Sequence, residues 1–493
     1  MFSPSHFRDL FQPNYCERRI WLAVNKPDLA IPDIDFIQMI QEKGIVAEEA
    51  HVKTIGTFET PEYPQFEFHT GFEETLKMIK SKVPVIYQGV LISNNKQWMA
   101  VPDLLILDKK TKKYTLRDVK LAKNLDAHPE IDMGMGLCGL IAREVLGYEP
   151  IIEVMKGDGE LMSPYLVPER NKVLGCIELI EKLRMLPDEP LEMSGWSKCN
   201  PCEFFNYCWS EAWEGRHVCT ISGIEQGMSK ALVARKINTW ETLLKKSDDI
   251  ADVAFQRGSQ TQRIGATRAD KILRQARSLS KSKHEKIATL TLPNNYSPGE
   301  RPIVIFDVEN NMPIFEELDI PVDVYLWGLM TVTSKGTKQE LIIAPNGPKA
   351  DQKGWQMFLS TMSKIFERYG DIPIVHFSSH EKTKVSNYIN IFGDSHSTGQ
   401  RVLDNLWDLY RAIINCVILP VPSYGLKELE KFVGFERTQE EYGGAWSIVR
   451  YNRYLEAPTQ KEADRILDEI RVYNGEDLKA TYEVYKWVEK HCC

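Results

Sequence analysis

The sequence predicts a protein of mixed α/β class that is divided into several domains. Its 493 residues correspond to about three domains at roughly 100–200 residues each. Hydrophobic residues make up 43% of the chain, an ordinary share for globular proteins that excludes general disorder. Strand-like and helix-like patterns alternate in both terminal regions, whereas the short segment between them is helix-rich and locally basic.

The charge balance is mildly acidic, with 61 Lys and Arg against 69 Asp and Glu and a formal net charge of −8. It argues against a chain that coats nucleic acid over its whole surface, but it leaves room for a local basic groove. No segment has the ~18 uninterrupted apolar residues that a membrane span requires, and the first residues lack the apolar core of a signal peptide. We therefore expect a soluble, cytoplasmic protein without a membrane partner.

Two shifts in composition predict the domain boundaries. The first follows a group of cysteines, near residues 213–219, and the second is the polar stretch 280–301, in which Asn, Pro and Gly collect as they do in linkers. We predict an N-terminal domain at residues 1–215, a small helical domain at 216–285 and a C-terminal domain at 300–493.

The N-terminal region contains a predicted β-hairpin with acidic residues at one end. VPVIYQGVLI, WMAVPDLLIL and KYTLRDVKLA are typical of strands, and a helix follows that ends at Gly147. Because residues two apart on a strand share a face, Asp118 and Lys120 project together, and the hairpin brings Asp103 beside Asp118. Two such carboxylates can bind Mg²⁺ or Mn²⁺, while the ammonium orients water or stabilises charge on a phosphodiester. An ordinary surface hairpin with an Asp–Lys pair is the alternative.

The stretch VPDLLILDKKTKKYTLRDVKLAKN resembles the PD-(D/E)xK nuclease pattern of RecB-like enzymes, and the resemblance extends to the upstream helix KGIVAEEAHV. It implies a restriction-endonuclease-like fold in which Asp103 and Asp118 bind the metal and Lys120 acts in catalysis. Relatives have a metal-binding His where this chain has Ala47, so His51, one helical turn later, is a candidate substitute ligand. A structural role for His51 is the alternative. The Q-x-x-x-Y feature of relatives is missing from MGMGLCGLIAREVLGYEP.

Three cysteines, Cys199, Cys202 and Cys208, fall within KCNPCEFFNYC. Thiolates at this spacing favour Zn²⁺ or an iron–sulfur cluster, and either needs a fourth ligand. Cys219 would complete a local zinc site, whereas Cys16 would close a cluster across the whole N-terminal domain. The second arrangement resembles the Fe–S-containing branch of the RecB-like family, which implies a 4Fe-4S cluster. In both cases the metal is structural, because it offsets the entropy of closing a long loop.

The middle segment TISGIEQGMSKALVARKINTWETLL resembles a helix–hairpin–helix unit, and QRIGATRADKILRQARSL looks like a degenerate second copy. Such turns point backbone N–H groups at phosphate oxygens without reading sequence. Arg268, Lys271, Arg274 and Arg277 recur every three residues and form a basic stripe on a helix. We predict that this stripe binds nucleic acid; an ordinary solvated face is the alternative.

The C-terminal region begins with the apolar strand PIVIFDVENN, followed by the strands VYLWGLMTV, QELIIAP and IPIVHF and by helices around 403–414, 426–432 and 463–487. The first strand is apolar on both faces and should be central and buried. Asp307 and Glu309 share one face at its end. Burying two acids there is unfavourable unless a cation compensates, so both are candidate metal ligands. A strand end that emerges into solvent is the alternative.

The order D-x-E, then a further acid, then Y-x-x-x-D resembles DEDD-type exonucleases of the RNase H-like fold, which hold two metal ions about 3.5–4 Å apart. LPVPSYGLKELEKFVGF and YGGAWS look like the RNase H-like half of two-nuclease RecB-like proteins. The resemblance implies that Asp477 is a metal ligand and that Tyr473 positions the attacking water. The third acid is Glu381 or Asp408, with Asp404 as a weaker alternative.

These resemblances cover nearly the whole chain and together imply a metal-dependent nuclease. It would act exonucleolytically on single-stranded DNA or frayed ends, with nucleic acid as its partner, DNA favoured over RNA, and a helicase or other effector subunit as a further candidate partner. The principal alternative is a non-catalytic nucleic-acid-binding or effector-assembly module in which one or both sites are degenerate. A third is a hydrolase of nucleotides or small phosphates that uses the RNase H-like site alone.

Overall fold

The computed structural model describes residues 1–191, 193–293, 302–311, 323–439 and 443–493. Most of the predicted linker LPNNYSPGERP and the first residue of YGGAWS lie outside the described residues. No helix in these ranges is both long and apolar enough to span a membrane.

The described chain forms two compact units. The first contains Met1–Met193 and Lys198–Cys208, and the second contains Ser194–Ser197 and the described residues from Trp209 onward. The segment predicted as a separate helical domain belongs to the second unit, in which it has a hydrophobic core of its own. The finer division into three domains stays a prediction.

The first unit combines helices with a five-stranded sheet. Its helices are α1 (Phe7–Phe11), α2 (Glu17–Asn25), α3 (Ile34–Ile55), α4 (Phe68–Lys80), α5 (Pro129–Leu146) and α6 (Arg170–Arg184). Its strands are β1 (Val85–Tyr87), β2 (Leu91–Ile92), β3 (Met99–Ala100), β4 (Leu104–Leu107), β5 (Tyr114–Val119), β6 (Ile152–Met155) and β7 (Leu161–Met162). The sheet order is β1-β4-β5-β6-β7, whereas β2 and β3 pair with each other.

The predicted hairpin is formed by β4 and β5, which pair antiparallel. Its turn is stabilised by Asp108, whose Oδ1 accepts hydrogen bonds from the backbone N–H groups of Lys110 and Thr111 at 3.0 and 2.6 Å. After β5 the chain crosses through α5 and returns as β6, parallel to β5. Helix α5 ends at Gly147, as the sequence predicts, and the φ of 77° at this glycine is the left-handed conformation favoured at helix C-termini.

The two helices α7 (Trp196–Cys199) and α8 (Phe205–Glu214) lead from the cysteine cluster into the second unit. The middle segment then contains α9 (Gln226–Ala234), α10 (Trp240–Lys245), β8 (Ala254–Arg257), β9 (Gln260–Arg263), α11 (Ala266–Lys281) and β10 (Glu285–Lys286). The hairpin of β8 and β9 between the helices was not expected from the sequence.

The C-terminal region of the second unit is built on a sheet of order β13-β12-β11-β14-β15. Its strands are β11 (Ile303–Asn310), β12 (Val324–Thr333), β13 (Gly336–Ile343), β14 (Ile374–His376), β15 (Leu406–Asp408) and β16 (Val417–Ile418), the last pairing with β10. Its helices are α12 (Ala350–Tyr369), α13 (His380–Phe392), α14 (Thr398–Asn405), α15 (Leu409–Cys416), α16 (Leu426–Val433), α17 (Gly444–Leu455) and α18 (Gln460–Cys492).

Strand β11 is the central strand, as predicted. It pairs antiparallel with β12 and parallel with β14. Phe306 belongs to the hydrophobic cluster that includes α12, and Ile305 to the cluster that includes α15 and α18, so both faces of the strand are covered.

The prediction of one helix around 403–414 is wrong. Helix α14 ends at Asn405, and the next three residues form strand β15, which pairs in parallel with β14. Asp408 then caps α15, because its Oδ1 accepts the backbone N–H of Arg411 at 3.0 Å. Pairing with a neighbouring strand therefore overrides the local helical pattern of this segment.

Candidate active sites

The end of β11 carries the first two of the predicted acids, and α18 supplies Asp477, the last of them along the chain. One carboxylate oxygen from each of Asp307, Glu309 and Asp477 lies within 4.8 Å of the others. Glu309 and Asp477 are buried and Asp307 is partly buried. The strand and the helix therefore bring together three acids that are far apart in sequence.

Helix α18 presents Tyr473 and Asp477 on one face, because residues four apart lie one helical turn apart. Between them, Asn474 is fully buried and its Nδ2 donates to Asp307 Oδ2 at 2.6 Å. Gly328 pairs with Asp307 on the neighbouring strand, and a Cβ at this position would lie only 2.0 Å from Asn474 Oδ1. The missing side chain of Gly328 thus gives Asn474 the space to reach Asp307.

Burial and the proximity of these acids raise the pKa values of Asp307 and Glu309. Burial raises the pKa of Asp307 well above its usual value, and the charges of Asp477 and Glu381 raise it further. Burial also raises the pKa of Glu309, with added repulsion from Asp307 and Asp477. The pKa of the Tyr473 hydroxyl is raised by burial and by the same acids, so the hydroxyl stays protonated at neutral pH. Without a cation, full ionisation of these acids would therefore place more negative charge in the site than its surroundings stabilise.

Two basic side chains contact Asp477. Lys427 Nζ lies 2.7 Å from Asp477 Oδ1, and the side chain of Lys427 remains 35% exposed. Arg437 also donates to Asp477 Oδ1, but it is buried and simultaneously binds both oxygens of Glu430 at 2.7 and 2.9 Å. Lys427 therefore faces solvent beside the acid cluster, whereas Arg437 belongs to a buried ion-pair network.

The candidates for the third acid lie in different surroundings. Glu381, near the start of α13, is buried, lies 3.2 Å from His376 Nδ1, and is close enough to raise the pKa of Asp307. The Oδ1 atom of Asp408 instead accepts backbone N–H groups at the start of α15 and at Ser378. Asp404 is exposed and accepts a hydrogen bond from a neighbouring glutamine on α14. Of the three, Glu381 is the one whose charge acts on Asp307.

The donor set of this site consists of carboxylate oxygens, which are the ligands that Mg²⁺ and Mn²⁺ prefer. A divalent cation there would also relieve the repulsion that raises the two pKa values. The residues therefore fit a divalent metal.

Residues 304–489 match the family model of the RNase H superfamily, a range that contains all the acids of this site. No curated protein matches the chain. The match supports an RNase H-like domain in the C-terminal region, and this fold is typical of nuclease enzymes.

The predicted site of the first unit lies at the ends of β4 and β5. Asp103 and Asp118 are next to each other, since the backbone N–H of Asp103 donates to Asp118 Oδ1 at 3.0 Å and the backbone N–H of Val119 donates to Asp103 Oδ2 at 2.7 Å. Lys120 Nζ lies 2.7 Å from Asp118 Oδ2. Burial and the charge of Asp118 raise the pKa of Asp103. Burial opposes the charge of Lys120, but the two aspartates outweigh it and raise the pKa of its ammonium group.

Helix α3 adds an acid to this group. The charge of Glu48 contributes to the raised pKa of Asp103, and Glu48 Oε1 accepts a hydrogen bond from Gln88 Nε2 at 2.9 Å. The Nε2 of His51 lies 3.3 Å from a guanidinium nitrogen of Arg117. Arg117 precedes Asp118 on β5, so the two side chains point to opposite faces of the sheet. Glu48 is therefore the residue of this helix that acts on Asp103, and a ligand role for His51 stays a prediction.

The predicted cysteine ligands lie in the first unit. The charges of Cys16 and Cys199 act on Cys208, and that of Cys16 acts on Cys202, which places Cys16 near two cysteines of the KCNPCEFFNYC stretch. Burial raises the pKa values of Cys202 and Cys208 to about 12. Cys219 lies in the second unit, where its backbone N–H donates to His217 Nδ1.

The surroundings of these cysteines bear on the metal they could hold. Thiolates bind both tetrahedral zinc and iron–sulfur clusters. The charges of Arg18 and Arg19 act on Cys208 and Cys202 and would compensate the negative charge of such a cluster.

The predicted basic stripe lies on α11, and its members differ in their contacts. Arg274 forms ion pairs with Asp270 and Glu285 at 2.8 and 2.7 Å. The guanidinium of Arg268 lies 5.8 Å from the ring centroid of Phe255. Lys271 and Arg277 are exposed, as is Arg268.

The sequence reasoning missed Asn474, Lys427, Arg437 and Glu48. Asn474 directly follows the predicted Tyr473 on the same helix, so its position in the sequence was a signal for a role in the site. Glu48 directly follows Ala47, the position at which relatives of the N-terminal pattern have a His. Lys427 and Arg437 have no local signal, because their role depends on where α16 and the following loop lie beside α18.

Proposed function

We propose that this chain is a metal-dependent nuclease whose RNase H-like site hydrolyses phosphodiester bonds of nucleic acid. The observation that carries the proposal is the set of three carboxylates within 4.8 Å of one another at the end of the central strand. The match of residues 304–489 to the RNase H superfamily supports the same chemistry.

Each residue of the site has a distinct role in this proposal. Asp307, Glu309 and Asp477 would hold the divalent cations, which when bound supply Lewis-acid polarisation of phosphoryl oxygens and activation of water. Asn474 fixes the orientation of Asp307 through its 2.6 Å hydrogen bond. Tyr473 keeps its proton at neutral pH and orients the attacking water as a hydrogen-bond donor, not as a base.

Lys427 and Glu381 complete the proposed site. The partly exposed side chain of Lys427, whose ammonium lies beside Asp477, would stabilise the charge that develops on the phosphoryl group. Glu381 is the third acid in this proposal, because its charge acts on Asp307 while the Oδ1 of Asp408 caps α15. Arg437 is a positioning residue, since it holds Asp477 against Glu430.

The test is a cleavage assay on end-labelled single strands with Mg²⁺ or Mn²⁺. Asp307→Asn and Asp477→Asn should each lower the rate by a factor of about 10³ or more, because one oxyanion-stabilising contact alone is worth about 10²–10³. Asp464→Asn is the matched control, since Asp464 is an exposed residue of α18. Wild-type rates in both site variants would refute the proposal.

A second centre is proposed at Asp103, Asp118 and Lys120, with Glu48 as an additional acid. The observation that favours it is the contact of two buried or partly buried aspartates with each other and with an ammonium group. Lys120→Ala in a chain that also carries Asp307→Asn should remove any cleavage that remains in Asp307→Asn alone. If the remaining cleavage is unchanged, this centre is not catalytic.

We further propose that Cys16, Cys199, Cys202 and Cys208 bind a 4Fe-4S cluster that closes the N-terminal domain. Support comes from the electrostatic influence of Cys16 on Cys202 and Cys208, and from the charges of Arg18 and Arg19. Metal analysis and visible absorbance of protein purified without oxygen distinguish iron from zinc.

The finer assignment is exonucleolytic cutting of single-stranded DNA or frayed ends, with a helicase or other effector subunit as a partner. The competing function is a binding or assembly module with degenerate sites. Binding without cleavage by the wild-type chain, in either metal, would favour that module.

A further inference from the structure

A groove opens within the second unit between the middle segment and the RNase H-like domain. It has a volume of about 410 Å³ and is lined by residues of both, among them Gly223, Arg268, Lys271, Tyr410, Ser423 and Gly425. Gly223 belongs to the turn before α9, and Arg268 and Lys271 lie on α11. We call this feature the entry groove.

The two walls of the entry groove are fixed to each other by a buried polar contact. Gln275 of α11 is buried, and its Nε2 donates to the backbone oxygens of Leu419 and Val421 at 2.5 and 3.1 Å. Tyr424 donates its hydroxyl to Gln275 Oε1 at 2.9 Å. Breaking these hydrogen bonds would leave buried polar groups unsatisfied, which is unfavourable. The contact therefore fixes α11 against the segment 419–424, and with it the distance between the two walls.

The groove carries positive charge from one part of the basic stripe. Arg268 and Lys271 line it, whereas Arg274 is engaged in ion pairs with Asp270 and Glu285. One acid, Glu225, also lines the groove, and its Oε2 accepts the hydroxyl of Ser197 at 2.7 Å. Two cations, the hydroxyl of Ser423 and a glycine turn are the groups that bind the phosphates of a nucleic-acid backbone.

An aromatic ring lies on the opposite wall. Tyr410 is partly exposed, and its ring is supported edge to face by Phe377 at a centroid distance of 5.8 Å. A supported ring beside cations is the arrangement on which an unpaired base stacks. A volume of about 410 Å³ suits one small ligand or nucleotide unit.

Part of the groove lining adjoins, along the chain, a residue that contacts the acid cluster. Gly425 lines the groove and is the N-terminal capping residue of α16, and two residues later Lys427 contacts Asp477. On the same wall, Tyr410 stands two residues after Asp408, the last residue of a sheet strand beside β14.

We propose that the entry groove binds an unpaired strand of nucleic acid and guides its end to the RNase H-like site, an inference that rests on the proposed function. Arg268 and Lys271 contact successive phosphates, and one base stacks on Tyr410. The groove thereby selects single strands over duplex.

The experiment measures binding of the full chain to fluorescent oligothymidylate, oligouridylate and a blunt duplex, with EDTA present so that cutting does not interfere. Arg268→Gln combined with Lys271→Gln should weaken single-strand binding roughly 10- to 30-fold and reduce the log–log salt slope by about 1.4, since each phosphate contact contributes about 0.7. Lys281→Gln, an exposed cation at the end of α11, should leave both values unchanged. The two oligonucleotides distinguish DNA from RNA.

Tyr410 provides an independent arm that is useful if the double variant does not fold. Tyr410→Ala should weaken binding roughly 5-fold or more, while Tyr410→Phe, which keeps the ring, should bind like wild type. The inference is overturned if the groove variants bind like wild type, if Lys281→Gln costs as much as the double change, or if duplex binding falls as far as single-strand binding. Wild-type cleavage by Asp307→Asn would instead overturn the proposed function and leave the groove intact.

Discussion

Replacing Asp307 with Asn should make the metal-free protein more stable. Asp307 lies within 4.8 Å of Glu309 and Asp477, and two unit charges at that distance repel by about 3.5 kcal/mol at an effective dielectric constant of about 20. Part of this repulsion is already relieved by protonation, as the raised pKa of Asp307 indicates. We therefore expect a gain of about 1–2 kcal/mol, which raises the melting temperature by roughly 2–8 °C for a unit of this size.

The same substitution should remove the stabilisation by metal. Wild-type protein should gain about 2.7 kcal/mol in Mn²⁺ at about 100 times its Kd, because the ion binds only the folded site. Thermal unfolding of the full chain in EDTA and over a Mn²⁺ titration measures both effects, with Asp464→Asn as the control that should follow wild type. The reasoning is refuted if Asp307→Asn melts below wild type in EDTA and still gains the full shift in Mn²⁺.

Three further predictions concern packing, the cysteines and pH. Gly328→Ala should lower the free energy of unfolding by about 1–3 kcal/mol and slow cleavage, because the added Cβ would displace Asn474. Urea unfolding measures the change in stability. The control is Gly444→Ala, because a Cβ at that position meets nothing within 4 Å. Cys16→Ser should abolish bound iron and visible absorbance in metal analysis, whereas serine at the exposed Cys493 should not; equal iron in both contradicts the cluster. Because the folded pKa of Asp307 is raised, the metal-free folded state keeps a proton that the unfolded chain loses near pH 4. Stability in EDTA should therefore fall as pH rises from about 4 to the raised folded value, and a rise across that window would contradict it.

The sequence was sufficient to place the acids of strand β11. PIVIFDVENN is apolar on both faces until Asp307 and Glu309, and the structure shows the central, doubly covered strand that this pattern predicts. The four-residue spacing of Tyr473 and Asp477 on a helix was likewise predictable, because it depends only on helical geometry.

The contacts that orient these acids were not predictable. Asn474 reaches Asp307 only because Gly328, which has no side chain, is the residue paired with Asp307 on β12. That pairing depends on how β11 and β12 align, which no local sequence pattern reveals. Lys427 on α16 and Arg437 in the loop after it contact Asp477 across 50 and 40 positions of the sequence. The wrong helix at 403–414 has the same origin, since β15 exists only where β14 is available for pairing.

The charges around Asp477 favour the binding of a divalent cation at this site. Lys427 and Arg437 bring two positive charges, whereas Asp307, Glu309, Asp477, Glu381 and Glu430 bring five carboxylates. Full ionisation would leave three negative charges in a largely buried region, which proteins avoid by protonation or by binding metal. Burial and the neighbouring acids raise the pKa values of Asp307 and Glu309, and the raised pKa values favour protonation in the metal-free chain. Two divalent cations would supply four positive charges, enough to ionise every acid and to leave one positive charge for an incoming phosphate.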